Sequence, residues 1–470
     1  MINNVKHVII YIHLGGNMKF LIALWLGKGI NFLINIIDKT RGSNFSGEKA
    51  LKVDPLMLKH FKGIDLEKTL FITGTNGKST SNNLINHIFK NNGYKVISNL
   101  EGANLSAGVA TALLKASNIF GKVKADYFIF EVDERYLPII HEMIPAKNIL
   151  VTNLQKDQVH RNGDPDFIYR KVKPVMEKDV RLFINNDEPR SRSFAQLNNN
   201  VVTYGVERHK ETFTKLEDFT SMACPVCHDE IIFDYYNNDG MGAFKCKGCQ
   251  NKSKETSDYM VTNVDFENKE FTSGDAKFVM PYNIPYMLYN YAAAIAVSKE
   301  LAGISYENAS KAFGTFKNVG GRFEVLKFGK KTIKYMRIKQ ENPETFQTSI
   351  NIMASDKSPK MVCIGLAVIP DSIPSYTNTF YAYDCDFSEL VKSNVESYLC
   401  FTDAVCYDAA NRLIYEGVSP DNIDIMDGED ADELLEKINN AQTDNIYLIT
   451  WLHTYEALQK KAHLENKEEA

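Results

Sequence analysis

At 470 residues, with 44% hydrophobic and 24% charged side chains, the chain has the composition of a soluble globular protein and the length for roughly two or three separate cores. These values exclude a disordered chain and a membrane-embedded one, and a net charge of -5 gives no basic excess for a nucleic-acid partner. Four of the eight cysteines fall in two Cys-x-x-Cys pairs, which suits a metal in a reducing cytoplasm better than a secreted disulfide framework.

In chain order, residues 1–50 read as an N-terminal extension whose core, 19–38, is an amphipathic helix. Lys28, Asn31 and Asn35 interrupt its apolar runs, and a spanning helix needs about 20 predominantly apolar residues. The helix therefore either packs on the protein or rests against a membrane surface, and Met18 offers an alternative start to Met1. From Thr69 the pattern is apolar run, glycine-rich turn, then Leu84, Ile85, Ile88 and Phe89 at helical spacing. Further short apolar runs at 95–97, 127–130, 148–151 and 181–184 alternate with helix-length stretches, which predicts a mostly parallel sheet covered by helices. Between about 205 and 280 the chain turns polar and holds short alternating segments, as an insertion of small hairpins would. Helical periodicity returns at 286–301, a break at Val319-Gly320-Gly321 closes a central unit of 51–320, and 321–470 reads as a smaller α/β unit with strands near 361–366 and 446–449. The Lys/Glu-rich tail beyond Leu458 is expected to fray.

Three constellations carry chemistry. Gly74-Thr75-Asn76-Gly77-Lys78-Ser79-Thr80 follows a predicted strand and opens a predicted helix, the setting in which backbone amides and a lysine ammonium hold the phosphates of ATP. The alternative is a glycine turn with a solvated lysine. Ser79 and, from the acidic cluster Glu131, Asp133 and Glu134 at the end of the next strand, Glu131 are the expected magnesium ligands. Cys224-Pro225-Val226-Cys227 and Cys246-Lys247-Gly248-Cys249 have the spacing of a structural four-cysteine zinc ribbon, with no ligand position left open for catalysis. The remaining cysteines look like buried small hydrophobes, so no thiol centre for releasing ammonia is evident.

Thr73–Thr80 of this sequence resembles the phosphate loop of the Mur ligase family, which includes folylpolyglutamate synthase. Glu131, Thr152-Asn153 with Asp157, and Asn185-Asn186-Asp187-Glu188-Pro189 resemble later stations of that family in order. The resemblance makes Asn290 the adenine-side asparagine and Arg322, in Gly321-Arg322-Phe323-Glu324, an arginine that reaches ATP phosphate. The zinc ribbon, Glu101-Gly102-Ala103-Asn104, Cys406-Tyr407-Asp408 and Arg412-Leu413 narrow it to the MurT branch, the ligase-like subunits of lipid II isoglutaminyl synthase.

That resemblance implies a Mur-ligase-type central ATPase domain with an inserted four-cysteine zinc ribbon and a smaller C-terminal α/β domain. It also implies ATP-dependent amidation of the D-glutamate α-carboxylate of lipid II, with ammonia from a separate GatD-like class I glutaminase. Relatives carry Asp-Gly-Arg-Asp where this chain reads Pro370-Asp371-Ser372-Ile373, which leaves Asp371 and Asp384 as the catalytic carboxylates available. Two other readings stay open: a ligase joining an amino acid to a carboxylate, and a nucleotide-binding scaffold without catalysis.

Overall fold

The computed structural model describes residues 16–37, 44–100, 104–156, 164–214, 222–238, 240–316, 323–336, 343–365, 382–402 and 405–468. Among them the chain forms strands β1 (Thr69–Thr73), β2 (Val96–Ser98), β3 (Tyr127–Glu131), β4 (Asn148–Val151), β5 (Arg181–Asn185) and β6 (Val201–Val206). A hairpin of β7 (Ile231–Asn238) and β8 (Met241–Cys246) follows, then β9 (Tyr259–Asp265), β10 (Glu270–Ser273) and β11 (Ala276–Val279). The second half holds β12 (Phe323–Phe328), β13 (Lys331–Met336), β14 (Lys360–Gly365), β15 (Val395–Phe401), β16 (Ile423–Met426) and β17 (Asn445–Ile449).

The larger sheet has nine strands in the order β11-β10-β9-β6-β5-β4-β1-β3-β2, parallel from β2 through to β9 and antiparallel only at β9-β10-β11. Strands β1, β3 and β4 are buried along their whole length, as strands covered on both faces must be, which is why they read as unbroken apolar runs. One face packs against the helices Gly16–Ile37, Ser106–Ala116 and Pro165–Met176 through Leu24, Leu113 and Val172. On the other face, Lys78–Asn91 and Met287–Ala302 bury Ile85, Phe89 and Ile295.

The polar stretch after 205 has two parts with different roles. β6 pairs in parallel with β9, Tyr204 opposite Tyr259, so β9, β10 and β11 extend the large sheet. Only the β7–β8 hairpin and its cysteine loops stand apart, as a separate two-stranded sheet. The second unit is a six-stranded sheet, β12-β13-β17-β14-β15-β16, antiparallel at β12-β13 and parallel elsewhere.

The expected boundary at Gly320-Gly321 lies outside the described residues. The Lys/Glu-rich tail, expected to fray, continues as the helix Leu452–Glu468, because Leu458 and Ala462 are buried in the second unit's core and Lys461 pairs with Asp432 at 2.7 Å. The N-terminal helix runs Gly16–Ile37 and packs on the central unit through Phe20, Ala23 and Leu24, which settles the packed alternative for that face. Among the described residues, no helix is long and apolar enough to cross a membrane.

Candidate functional site

The loop between β1 and the helix Lys78–Asn91 is built by two glycines in conformations that side chains resist. Gly74 has φ 123° and Gly77 φ 84°. A Cβ on Gly74 would collide with the Thr152 Oγ1, and one on Gly77 with the Asn290 Oδ1, so the bare backbone is what lets the loop seat against its neighbours.

The chain after β4 then fastens that loop by long-range hydrogen bonds. The Thr75 N–H donates to the Asn153 carbonyl at 2.8 Å, and the Asn76 N–H to the Asn153 Oδ1 at 2.9 Å. The Asn76 side-chain amide donates to the Gln155 Oε1 at 3.0 Å, and the Gln155 N–H to the Thr75 Oγ1 at 3.0 Å. Ser81 Oγ donates to the buried Asn290 Oδ1 at 3.3 Å, joining the first turn of the loop helix to the helix Met287–Ala302. Gln155 is a site residue that motif reading missed, because it contacts the loop across eighty positions of sequence.

Lys78 is buried and its Nζ donates to the Gly74 and Thr75 carbonyls and to Glu134 Oε1, the last at 3.2 Å. A lysine with Nζ against the loop's own backbone is not the solvated residue of the alternative reading. Glu131 ends β3 in a buried position, with its main chain held by Asn99 through bonds of 2.8 and 2.9 Å, while Ser79 sits exposed on the first helical turn. Burial pushes the Asp133 carboxyl up, but hydrogen bonds from Arg135 outweigh it and hold the group below its ordinary range. The cradle thus gathers a cation, glycine-freed backbone amides at a helix N-terminus and a carboxylate at a strand end, which fits a magnesium-bound polyphosphate.

Behind the cradle, Asn185-Asn186-Asp187-Glu188-Pro189 acts as a seam. Glu188 caps the helix Pro189–Ser193 and accepts from the Leu154 N–H at 3.2 Å, tying β5 to the segment that carries Gln155. Asp187 accepts from the Val206 N–H at 3.0 Å and the Tyr289 hydroxyl at 3.1 Å, and its carbonyl accepts from the Gly242 N–H at 2.9 Å. Full burial lifts the Asp187 carboxyl to about 6 despite those bonds and one from Asn186.

In the hairpin module, the sulfurs of Cys224, Cys227, Cys246 and Cys249 all lie within 4.8 Å of one another. Cys224 and Cys249 are 3.6 Å apart, and Cys227 and Cys246 3.4 Å, close to the roughly 3.8 Å edge of a tetrahedron with about 2.3 Å metal–sulfur bonds. The Val226 and Gly248 N–H groups donate to the Cys224 and Cys246 sulfurs at 3.5 and 3.3 Å, as knuckles around thiolates do. The four-sulfur set fits a closed structural zinc site.

From the second unit, Asp384 reaches this region: its Oδ2 accepts from Lys156 at 2.7 Å, one residue beyond Gln155. Arg412 fixes the backbone around Asp384, donating to the Ala382 carbonyl at 3.1 Å and the Cys385 carbonyl at 2.7 Å and pairing with Glu416. Arg322, Asp371 and Asp157, expected from the sequence to belong to the site, lie outside the described residues, as do Glu101, Gly102 and Ala103.

The architecture defined by this site and its two sheets recurs in solved structures. A pseudomurein peptide ligase type C from Methanothermus fervidus superposes with a TM-score of 0.64 at 18% identity, covering 85% of this chain and 79% of that one, and MurF from Acinetobacter baumannii with a TM-score of 0.60 at 12% identity, covering 87% and 80%, so the fold is that of the Mur ligases. Family models for the Mur ligase middle domain and the MurT ligase C-terminal domain match residues 72–298 and 340–458. The chain belongs to the Mur ligase family and carries a MurT-type C-terminal domain. It is 28% identical to the lipid II isoglutaminyl synthase (glutamine-hydrolyzing) subunit MurT of Staphylococcus aureus strain COL over 76% of this chain and 79% of the relative. To the protein of the same name from Streptococcus pneumoniae strain R6 it is 25% identical, over 94% of this chain and 96% of the relative. The C-terminal match holds even though Asp-Gly-Arg-Asp is missing at 370–373.

Proposed function

We propose that this chain is the ligase-like subunit of a lipid II isoglutaminyl synthase of the cytoplasm: an ATP-dependent carbon–nitrogen ligase that amidates the D-glutamate α-carboxylate of the stem peptide in peptidoglycan synthesis. The observation that carries the reading is the glycine-sealed cradle around Lys78 in a chain whose C-terminal domain is MurT-type.

A carboxylate does not react with ammonia directly. Its oxygen attacks the γ-phosphorus of ATP, the bond from that phosphorus to the β-bridging oxygen breaks, and ADP leaves an acyl phosphate. Ammonia then adds at the acyl carbon, the carbon–oxygen bond to phosphate breaks, and the nitrogen gives up a proton to yield the amide. The work of this chain is positioning and charge neutralisation. The Gly74–Thr80 loop holds the phosphates through the backbone amides of Gly77 and Thr80 and the Lys78 ammonium, while the Thr75 and Asn76 amides keep its shape through Asn153; Arg322 joins from the linker, and Asn290 lines the adenine side. Ser79 and Glu131 would hold magnesium, which supplies further neutralisation of phosphate charge.

Asp384 is the better placed of the two candidate carboxylates, since Lys156 links it to the segment that fastens the loop. It would accept the proton that ammonia sheds, with Asp371 as the other candidate. The four cysteines 224, 227, 246 and 249 hold a structural zinc. Ammonia comes from a GatD-like class I glutaminase in a heterodimer; the four cysteines outside the hairpin, Cys363, Cys385, Cys400 and Cys406, are buried, and burial pushes the Cys363 and Cys400 thiols up, Cys400 to about 12.

The test is turnover. The chain, lipid II, ATP, magnesium and ammonium should yield ADP and amidated lipid II by mass spectrometry, and glutamine should replace ammonium only when the glutaminase is added. Lys78→Ala should weaken magnesium-ATP binding by about 10- to 100-fold in calorimetry, the value of hydrogen bonds to a charged donor. ATP binding without amide formation would leave a scaffold and end this reading.

A further inference from the structure

The helix Gly16–Ile37 buries one side in the central core and turns the other outward. Met18, Ile22, Trp25, Leu26, Phe32 and Leu33 are all exposed, Phe32 at 67% and Leu33 at 56%. At 3.6 residues per turn they fall, with Gly29, within an arc of about 120°, so the outward face is a continuous apolar stripe. Lys28, the charge closest in sequence to its middle, is drawn off it: its Nζ donates to the Leu114 and Ser117 carbonyls.

A second apolar element adjoins the stripe. The turn at Asn118–Lys122 points Ile119 and Phe120 outward, 61% and 65% exposed, and the Trp25 indole N–H donates to the Ile119 carbonyl at 2.9 Å. Phe20 packs where a Cβ on Gly121 would stand, so helix and turn form one surface. Large aromatic and aliphatic side chains set side by side in water are costly unless something covers them.

The charge around this surface says what that is. Lys62 and Lys122 are bridged neighbours, and Lys19, Lys115 and Lys124 are exposed on the same segments. The helix together with residues 59–63 and 115–124 contains seven lysines and no carboxylate, in a chain whose net charge is -5. An apolar stripe with Trp and Phe, rimmed by lysines, matches a bilayer interface with anionic headgroups.

We infer that the outward face of Gly16–Ile37, with Ile119 and Phe120, docks the protein onto an anionic lipid surface. The helix lies in the plane of the headgroups and the lysines pair with lipid phosphates. This deepens the ligase reading and rests on it only in giving that surface a use: it holds the chain where a lipid-linked acceptor is presented.

Vesicles free of any acceptor test the docking apart from catalysis. In a Trp451→Phe background Trp25 is the remaining tryptophan. Its emission should shift to the blue, and the chain should co-sediment, with vesicles of phosphatidylcholine plus phosphatidylglycerol but not of phosphatidylcholine alone. Ile119→Ser/Phe120→Ser and Lys62→Glu/Lys122→Glu should each weaken binding by about tenfold or more, the second pair losing its effect at high salt. Turnover on detergent-presented acceptor should be unchanged in both double variants. Three results overturn the inference: no binding to anionic vesicles; self-association that these substitutions abolish, which would make the stripe a contact between copies; or binding that appears only after residues 1–15 are removed, which would make that segment the cover. Vesicle binding with no turnover would instead fault the ligase reading alone.

Discussion

The phosphate loop and the cysteine hairpin are both small, both rich in turns, and supported in opposite ways. The loop rests on the large sheet's two cores, and its shape comes from glycines meeting Thr152 and Asn290 and from bonds to Asn153 and Gln155. The hairpin's own core consists of Cys224, Ile231, Phe244 and Cys246, two of which belong to the four-sulfur cluster that fits zinc. Functional groups in the loop can therefore be altered on a standing scaffold, whereas in the hairpin the group that binds is the scaffold.

Removing a ligand is the strongest way to break that contrast. Cys246→Ser should lower bound zinc to background and open residues 207–258 to limited proteolysis, since metal ligation contributes about 10–16 kcal/mol in small zinc peptides and nothing else in the module approaches it. Metal loss with no change in cleavage would show that the hairpin stands without it.

Asp187 joins the two regions and should give the next largest effect. Its folded value of about 6 lies above the ordinary 3.8, so the native state keeps a proton that the unfolded chain releases first. The contribution is full below the lower value and is lost as pH rises through the upper one. Between the two, wild-type stability relative to Asp187→Asn should fall by about 3 kcal/mol, read by urea denaturation at a series of pH values. A flat difference would remove the seam from the account.

Gly77→Ala sharpens the loop's side. The left-handed backbone costs about 1–2 kcal/mol for an L-residue and the new Cβ meets Asn290, so nucleotide affinity should collapse while the far-ultraviolet spectrum holds. Adding Asn290→Ala should relieve the collision but not the backbone term. The smallest stability effect belongs to Asp384→Asn: a pair with both partners about a third exposed contributes at most about 1 kcal/mol, so melting should barely move while amide formation slows, with ATP affinity retained. Loss of ATP affinity instead would make Asp384 a nucleotide-side residue.

Much of this was legible in the sequence for local reasons. Strands β1, β3, β4, β5 and β14 announce themselves as apolar runs, the phosphate loop as glycines between a strand and a helix, and the metal module by cysteine spacing. Strands β12 and β16 give no such signal, since half-buried segments such as Glu324–Lys327 and Ile423–Met426 say little until a neighbour fixes their faces. Gln155 and the Lys156–Asp384 pair were equally silent as contacts, being made across 79 and 228 positions. The expected insertion was too wide because β9, β10 and β11 are as polar on one side as a free hairpin, and only their pairing with β6 shows them to be sheet.

That pairing gives the metal module a topological job. Parallel neighbours need a crossover connection, usually a helix, and between Val206 and Tyr259 the chain crosses by way of the cysteine hairpin. Because the entropy of closing a loop grows only with the logarithm of its length, stripping the metal should slacken this bridge without unzipping β6 from β9. The chelated protein would then be a sheet intact on both sides of a loosened span, a lesion visible in the hydrogen exchange of the span and silent in that of the strands it connects.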